Sequence, residues 1–247
     1  MLCKAEALIE TNTDIDGAID LINRIRSERD DVLGIFISSD LSGTYQSACL
    51  AASDVEDETG KKLYMVDSRS ASIGTALLIR EAVKLRDAGV NVSDIAAACT
   101  EMSKYIKLTA VVGSLKYLKM GGRLSGAAAF AGTMLHITPV VSIEDGKVVV
   151  IGKTRGKKAA EKLMHDKLTE DGLSLTRDFM FGHINCSESL ETFINKSLTY
   201  ISDVNGNVGV SSIGCSVGTH VGPGTYGIAY VEAAESGMNR ESIVKTA

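Results

Sequence analysis

The sequence predicts an α/β protein in two units, a parallel α/β sheet unit followed by an α+β unit with a mixed sheet. Three observations carry this expectation. Over the first half, short apolar runs alternate with amphipathic helical segments, the pattern of parallel strands joined by crossover helices. In the second half, Asp145-Gly146 sits between two extended runs, a strong hairpin signal. The 247 residues, 45% of them apolar, suffice to bury a sizeable core.

The elements follow in order. Ile15 to Arg29 puts Ile15, Ala18, Ile19, Ile22 and Ile25 on one face, an amphipathic helix that Asp14 can cap. "DVLGIFISS" reads as a buried strand, followed through a hydroxyl-rich turn by a helix to about Ala52. "KKLYMVDS" has the continuous apolar middle of a strand covered on both faces. A helix from Ser72 to Ala88 stops at Gly89, a fitting C-cap residue. Asp94 to Lys104 is a further helix, "LTAVVGS" another strand of the first unit, and Leu115 to Lys119 a short helix entering "GGRLSG". The boundary falls near Met134, giving units 1–134 and 135–247. Beyond it, "TPVVSIEDGKVVVIGKTRG" forms the hairpin. Helix Lys157 to Leu168, strand "RDFMFGHIN", helix Ser189 to Ile201, strand "NVGVSSIGCS" and a last strand "GTYGIAYVEA" complete the mixed unit.

Composition excludes several function classes. Net charge is −5 with Lys and Arg dispersed, so the basic footprint of a nucleic-acid binder is missing. Cys3, Cys49, Cys99, Cys186 and Cys215 are scattered, odd in number and without CxxC spacing, which argues against a disulfide framework or a zinc site. A reducing cytoplasm is the expected location. Lys4, Glu6 and Glu10 break the first fourteen residues, so they do not read as a signal peptide. Gly132, His136 and Pro139 interrupt the most apolar later stretch, so no membrane insertion is expected.

Three stretches hold candidate site residues. In "FISSDLSGTYQSA", Ser38, Ser39, Ser42, Thr44 and Ser47 cluster where a strand turns into a helix, the place where open α/β sheets bind ligands. Ser42, Gly43 and Thr44 at a helix start suit a carboxylate or phosphate; equally, one of Ser38, Ser39 or Ser42 caps the helix. A cap needs one hydroxyl, not five, and Gly43 permits close backbone approach. In "KYLKMGGRLSG", Arg123 after Gly121-Gly122 can hold an anion bidentately, and "GKTRGKKAA" adds Arg155 among lysines; the alternative for both is a solvated turn. Neither matches a GxxxxGK[ST] or GxGxxG loop. In "GTHVGPGTYG", His220 sits in a glycine-rich turn between strands, partly exposed and free to donate to an anion, whereas His136, His165 and His183 read as structural. Ser42, His220 and Asp67 could form a nucleophilic triad, but no GxSxG elbow surrounds any serine. No ligand spacing points to a metal.

Taken together and in order, "ISSDLSGTYQSA", "VDSRSASIGTALLIREAVKL", "LKYLKMGGRLSG", "ITPVVSIEDGKV", "KTRGKKAA" and "GTHVGPGTYGIAY" resemble the DegV family of bacterial fatty-acid-binding proteins, from about Asp31 to Glu232. The resemblance implies a two-domain protein with a lipid pocket between the domains, holding one long-chain fatty acid and no other cofactor. Its fatty acid kinase B subunits present the acid to a separate kinase subunit for acyl-phosphate formation. By motif, Ser42 with Gly43 binds the carboxylate. Thr11 in "ETNTDID" is the second contact, with Thr13 as fallback, although the family's proline is missing there. Arg123, Arg155 and His220 match basic residues at the mouth, near the phosphate and the kinase, and Asp67 and Ser68 lie beside the pocket. The family's usual first strand, ending in a D-S-T or D-S-S turn, has no counterpart before Leu2, so either a truncated product or an unusual, amino-terminally short member is expected. The resulting expectation is a carrier that does no chemistry. The alternatives are a serine-dependent acyl hydrolase using Ser42 and His220, and a phosphate or nucleotide binder using the Ser42 turn and Arg123.

Overall fold

The computed structural model describes residues 32–125, 137–174, 176–202 and 205–233. The expected helix over Ile15 to Arg29, Thr11, Thr13 and the boundary at Met134 lie outside them. Strands β1 (Val32–Phe36) and β2 (Leu63–Asp67) pair in parallel, with helix α1 (Thr44–Thr59) crossing between them. The strands alternate as a sheet covered on both faces must. Val32, Leu63 and Met65 meet Ala52 and Val55 of α1, while Leu33, Ile35, Tyr64 and Val66 face α2 (Ile73–Asp87) and α3 (Val92–Met102). Helix α1 continues past Ala52 because its polar end still buries Val55 and stops only where Gly60 takes φ 67°.

A six-stranded mixed sheet packs against the other side of α2. Its order is β5-β4-β3-β8-β6-β7, with β3 (Ile106–Val111), β4 (Thr138–Glu144), β5 (Lys147–Thr154), β6 (Phe179–His183), β7 (Val208–Ser212) and β8 (Tyr226–Val231). Here one expectation is corrected. The "LTAVVGS" strand does not join the parallel sheet; as β3 it pairs antiparallel with both β4 and β8. Its two faces fix this position, since Ile106 meets α2 and α3 while Val111 meets the helices on the far side. Those helices are α5 (Lys157–Asp171) and α6 (Ser187–Ser197), packed on Phe179, Phe181, Tyr226, Ile228 and Tyr230. The short α4 (Leu115–Met120) follows β3.

A second correction concerns the end of the "NVGVSSIGCS" strand. It stops at Ser212, and Cys215–Val221 forms helix α7, so His220 stands in the last turn of a helix rather than in a turn between strands. The Asp145-Gly146 hairpin forms as expected. Its tip reaches across to the first sheet: the Ser38 hydroxyl donates to Gly146 O at 2.7 Å, Lys147 pairs with Asp40 and Arg69 with Asp145. Gly146 has φ 81°, and an added Cβ would lie 2.6 Å from Ser38 Oγ, so this contact requires glycine.

His165 is structural, as expected. It is buried between Phe193 and Tyr200, with ring centroids at 5.1 and 4.3 Å, and bonds Ser197 Oγ at 2.9 Å. Burial pushes its pKa down, against a weaker upward pull from Glu161. The unfolded chain therefore binds more protons below about pH 6.5, and stability falls as pH drops through that range. Asp178 acts only at lower pH: burial raises its carboxyl, but Lys84, the Asn207 amide and Arg80 outweigh this and hold it at about 2. Melting curves at pH 7 and pH 5 are expected to show a smaller acid loss for His165→Gln than for the parent. An unchanged loss rules out His165 as its source.

Candidate functional site

A cavity of about 1180 Å³ lies between the parallel pair and the six-stranded sheet. Ile35, Ile37 and Leu41 close one side, Ala76, Ile79 and Val83 of α2 form the length, and Leu108, Ala110, Val141, Ile143 and Val148 supply the wall from the mixed sheet. The lining is mostly aliphatic because every strand facing it alternates, turning its other side chains into a packed core.

One end is polar. The Ser42 and Thr44 hydroxyls, both in the lining, are 2.8 Å apart, and Thr44 N lies 3.3 Å from Ser42 Oγ. Helix α1 has Gly43 as N-cap, which offers no side chain, and its first amide, Thr44 N, donates to Ser42 Oγ, so Ser42 accepts one bond at the helix start and keeps its remaining capacity toward the cavity. The other hydroxyls have separate tasks: Ser38 is fully buried on the hairpin tip, and Ser39 gives its amide to the Asp67 carboxylate at 3.3 Å. Gly43 itself is exposed at φ −70°, and an added Cβ would meet nothing within 4 Å. The protein's own packing thus makes no demand for glycine there.

Arg123 and His220 also line this end. The Arg123 guanidinium donates to Leu41 O at 3.1 Å and Gly121 O at 2.6 Å, which ties it to the residue before Ser42. His220 packs its ring on Gly121, where a Cβ would fall 2.1 Å from Nδ1. That Nδ1 is buried without a hydrogen-bond partner among the described residues. Burial, then the Arg123 charge, lower the imidazole pKa, so His220 is neutral at pH 7. Ser72, at the start of α2 and in the lining, takes φ 49°, unusual for a residue with a side chain and a mark of local strain.

Four expected residues are not in the lining: Gly43, Asp67, Ser68 and Arg155. Asp67 accepts from the amides of Ser39 and Arg69, the latter at 2.8 Å. Ser68 is fully buried and bonds Thr75 at 3.0 Å. Both organise the turns beside the cavity. Arg155 is exposed just past the end of edge strand β5. It is not among the lining residues that include Arg123 and His220. Among the described residues no hydrogen bond joins Ser42 to His220 or His220 to Asp67, so the triad geometry is not formed. Nor does any group of three or more His, Cys, Asp and Glu there suit a metal ion. No helix among the described residues is long and apolar enough to cross a membrane.

Comparison with known proteins gives the family. The model described as "Uncharacterised protein, DegV family" matches residues 6–233. The chain belongs to the DegV family. A DegV domain-containing protein of Clostridium acetobutylicum is 34% identical over 226 residues, 87% of this chain and 75% of its own. Among solved structures, the DegV family protein from Thermus thermophilus, described by its fatty acid binding, is 28% identical at TM-score 0.76, covering 90% of this chain and 78% of its own. DegV from Bacillus subtilis, described as a fatty acid binding protein, is 28% identical at TM-score 0.75, with 89% and 77% covered.

Thr44, which the sequence places with Ser42 and Gly43 at the helix start, is the hydroxyl that pairs with Ser42. Sequence reasoning about this DegV chain missed one element. Helix α7 was marked by Gly222 followed by Pro223, a helix-end signature.

Proposed function

We propose that this DegV protein binds one long-chain fatty acid in the cavity and presents its carboxylate to a partner kinase in the cytoplasm. The observation that carries the reading is the aliphatic cavity ending at the Ser42–Thr44 hydroxyl pair beside Arg123 and His220. The fatty-acid binding described for the Thermus and Bacillus relatives supports it. At ~0.8 kcal/mol per buried methylene, a chain of about sixteen carbons offers roughly 10 kcal/mol before association costs. Affinity then comes from the tail and orientation from the polar end. In this reading Ser42 and the Gly43 amide receive the carboxylate, with Thr11 as the second contact and Thr13 its alternative. Asp67 and Ser68 hold the turns. Arg123 and His220 meet the charge that grows when the kinase transfers phosphate to the carboxylate oxygen, and the exposed Arg155 contacts the kinase. The DegV chain itself makes and breaks no bond.

Extraction of the purified protein followed by mass spectrometry tests the reading directly; a long-chain acid at one per chain is expected, and a nucleotide in its place overturns it. Ser42→Ala is expected to weaken fatty-acid binding by about 1.5 to 3 kcal/mol, the worth of a hydrogen bond to a charged group. Losing the bond from Thr44 N at the start of α1 should cost only about 1 kcal/mol of stability. Unchanged affinity in a destabilised variant rejects the role.

A further inference from the structure

The end of the cavity away from Ser42 is not apolar. Arg80 and Lys84 of α2 and Asp178, just before β6, all belong to the lining. Ser72 to Lys84 covers about 18 Å of helix at 1.5 Å per residue. The amino end of α2 adjoins the Ser42 turn, since Ser38 N donates to Ser70 O at 2.8 Å. Strand β6 runs the same axis in reverse, from Asp178 at the far end to His183, whose carbonyl accepts from Ile213 just before α7. An extended chain advances about 1.3 Å per carbon–carbon bond, so some fourteen to sixteen carbons starting at Ser42 end at Arg80 and Lys84.

Asp178 is fully engaged there. Its side chain is 2% exposed; one oxygen accepts from Arg80 Nε at 3.0 Å, the other from Lys84 Nζ at 2.6 Å and Asn207 N at 3.0 Å. Arg80 is not. It remains 39% exposed, and neither of its Nη groups makes a hydrogen bond among the described residues. Lys84 pairs with Glu81 at 3.6 Å as well as with Asp178, yet it too stays 32% exposed. A terminal methyl pressed on these groups would strip water from two cations and offer nothing back. An oxygen function would replace that water.

Building on the fatty-acid reading above, we propose that Arg80 and Lys84 form a second polar subsite that receives a carboxylate or hydroxyl at the far terminus of the bound chain. The ligand class is therefore long-chain acids oxygenated at both ends.

Titrations of hexadecanoic, hexadecanedioic and ω-hydroxyhexadecanoic acids against the full chain test this. At least one oxygenated acid is expected to bind within about tenfold of the plain acid, and Arg80→Gln to weaken that acid at least about tenfold more than the plain one. Which acid responds distinguishes carboxylate from hydroxyl recognition. Lys84→Gln is the second variant, and plain-acid affinity reports that each variant is folded. The proposal is overturned if both oxygenated acids bind more than about tenfold weaker than the plain acid, or if the variants weaken all three equally. If the plain acid binds and the oxygenated acids do not, only the subsite fails. If none binds, the carrier reading fails with it.

Discussion

Ala76→Trp is expected to abolish long-chain binding while leaving short-chain binding intact. Ala76 lines the cavity about one turn into α2, four residues after Ser72 and four before Arg80, on the same helix face. An indole there stands across the cavity about 6 Å beyond Ser72 at 1.5 Å per residue. About ten methylenes lose their place, at ~0.8 kcal/mol each, an upper loss of roughly 8 kcal/mol. Hexadecanoic acid should therefore bind more than a hundredfold weaker, while hexanoic acid, held between Ser42 and Ala76, keeps its affinity. Ala76 is only partly buried and faces open volume, so the larger side chain fits without displacing a neighbour. Isothermal titration with both acids decides it. Unchanged hexadecanoic acid binding in the folded variant would mean that the chain does not run along α2.

Phe181→Ala probes the opposite face of the six-stranded sheet. Phe181 is completely buried and meets Phe179 and Phe193 edge-on, each at 5.9 Å, within the cluster that holds α5 and α6. Truncation leaves a cavity in a packed core and is expected to cost about 3 to 5 kcal/mol. For a chain of this size that corresponds to a melting temperature lower by roughly 10 °C. Because β6 sends Met180, not Phe181, to the cavity side, the folded variant should bind fatty acid with parental stoichiometry. Chemical denaturation and titration of one sample check both halves. A loss below about 1 kcal/mol would contradict the packing described for this face.

Much of this was legible beforehand, for identifiable reasons. The two parallel strands and α2 announce themselves through periodicity, and Asp145-Gly146 fixes a hairpin that only a tight turn accommodates. The partners of "LTAVVGS" were not legible. An apolar run covered on both faces reads the same whether its neighbours are parallel or antiparallel. Helix α7 was hidden because "CSVGTHV" buries no side chain fully and carries a mid-helix glycine, so its periodicity is faint. At the site, the sequence indicated Ser42, Arg123 and His220, which the fold does bring to one end of the cavity. What it withheld was long-range. Nothing near Arg123 announces that Leu41 O accepts its guanidinium, and nothing near Arg80 announces Asp178. Arg155 looked equivalent to Arg123 as an arginine beside glycines, but β5 brings its start, at Val148, to the cavity, and Arg155 follows its other end.

The strand order also dictates when this protein can finish folding. β8, buried along its whole length, lies between β3 and β6 and faces Ile106 with Val231, well over one hundred residues later in the chain. On the ribosome β3 emerges first, yet one of its two edges has no partner until more than one hundred further residues have been synthesised. The β4–β5 hairpin can cover the other edge at once; β6 and β7 can pair locally but remain a separate ribbon. Only the arrival of Tyr226–Val231 joins the two ribbons. Closing so long a loop is slow, and the waiting edges are apolar, so the nascent chain depends on protection from aggregation until β8 is released.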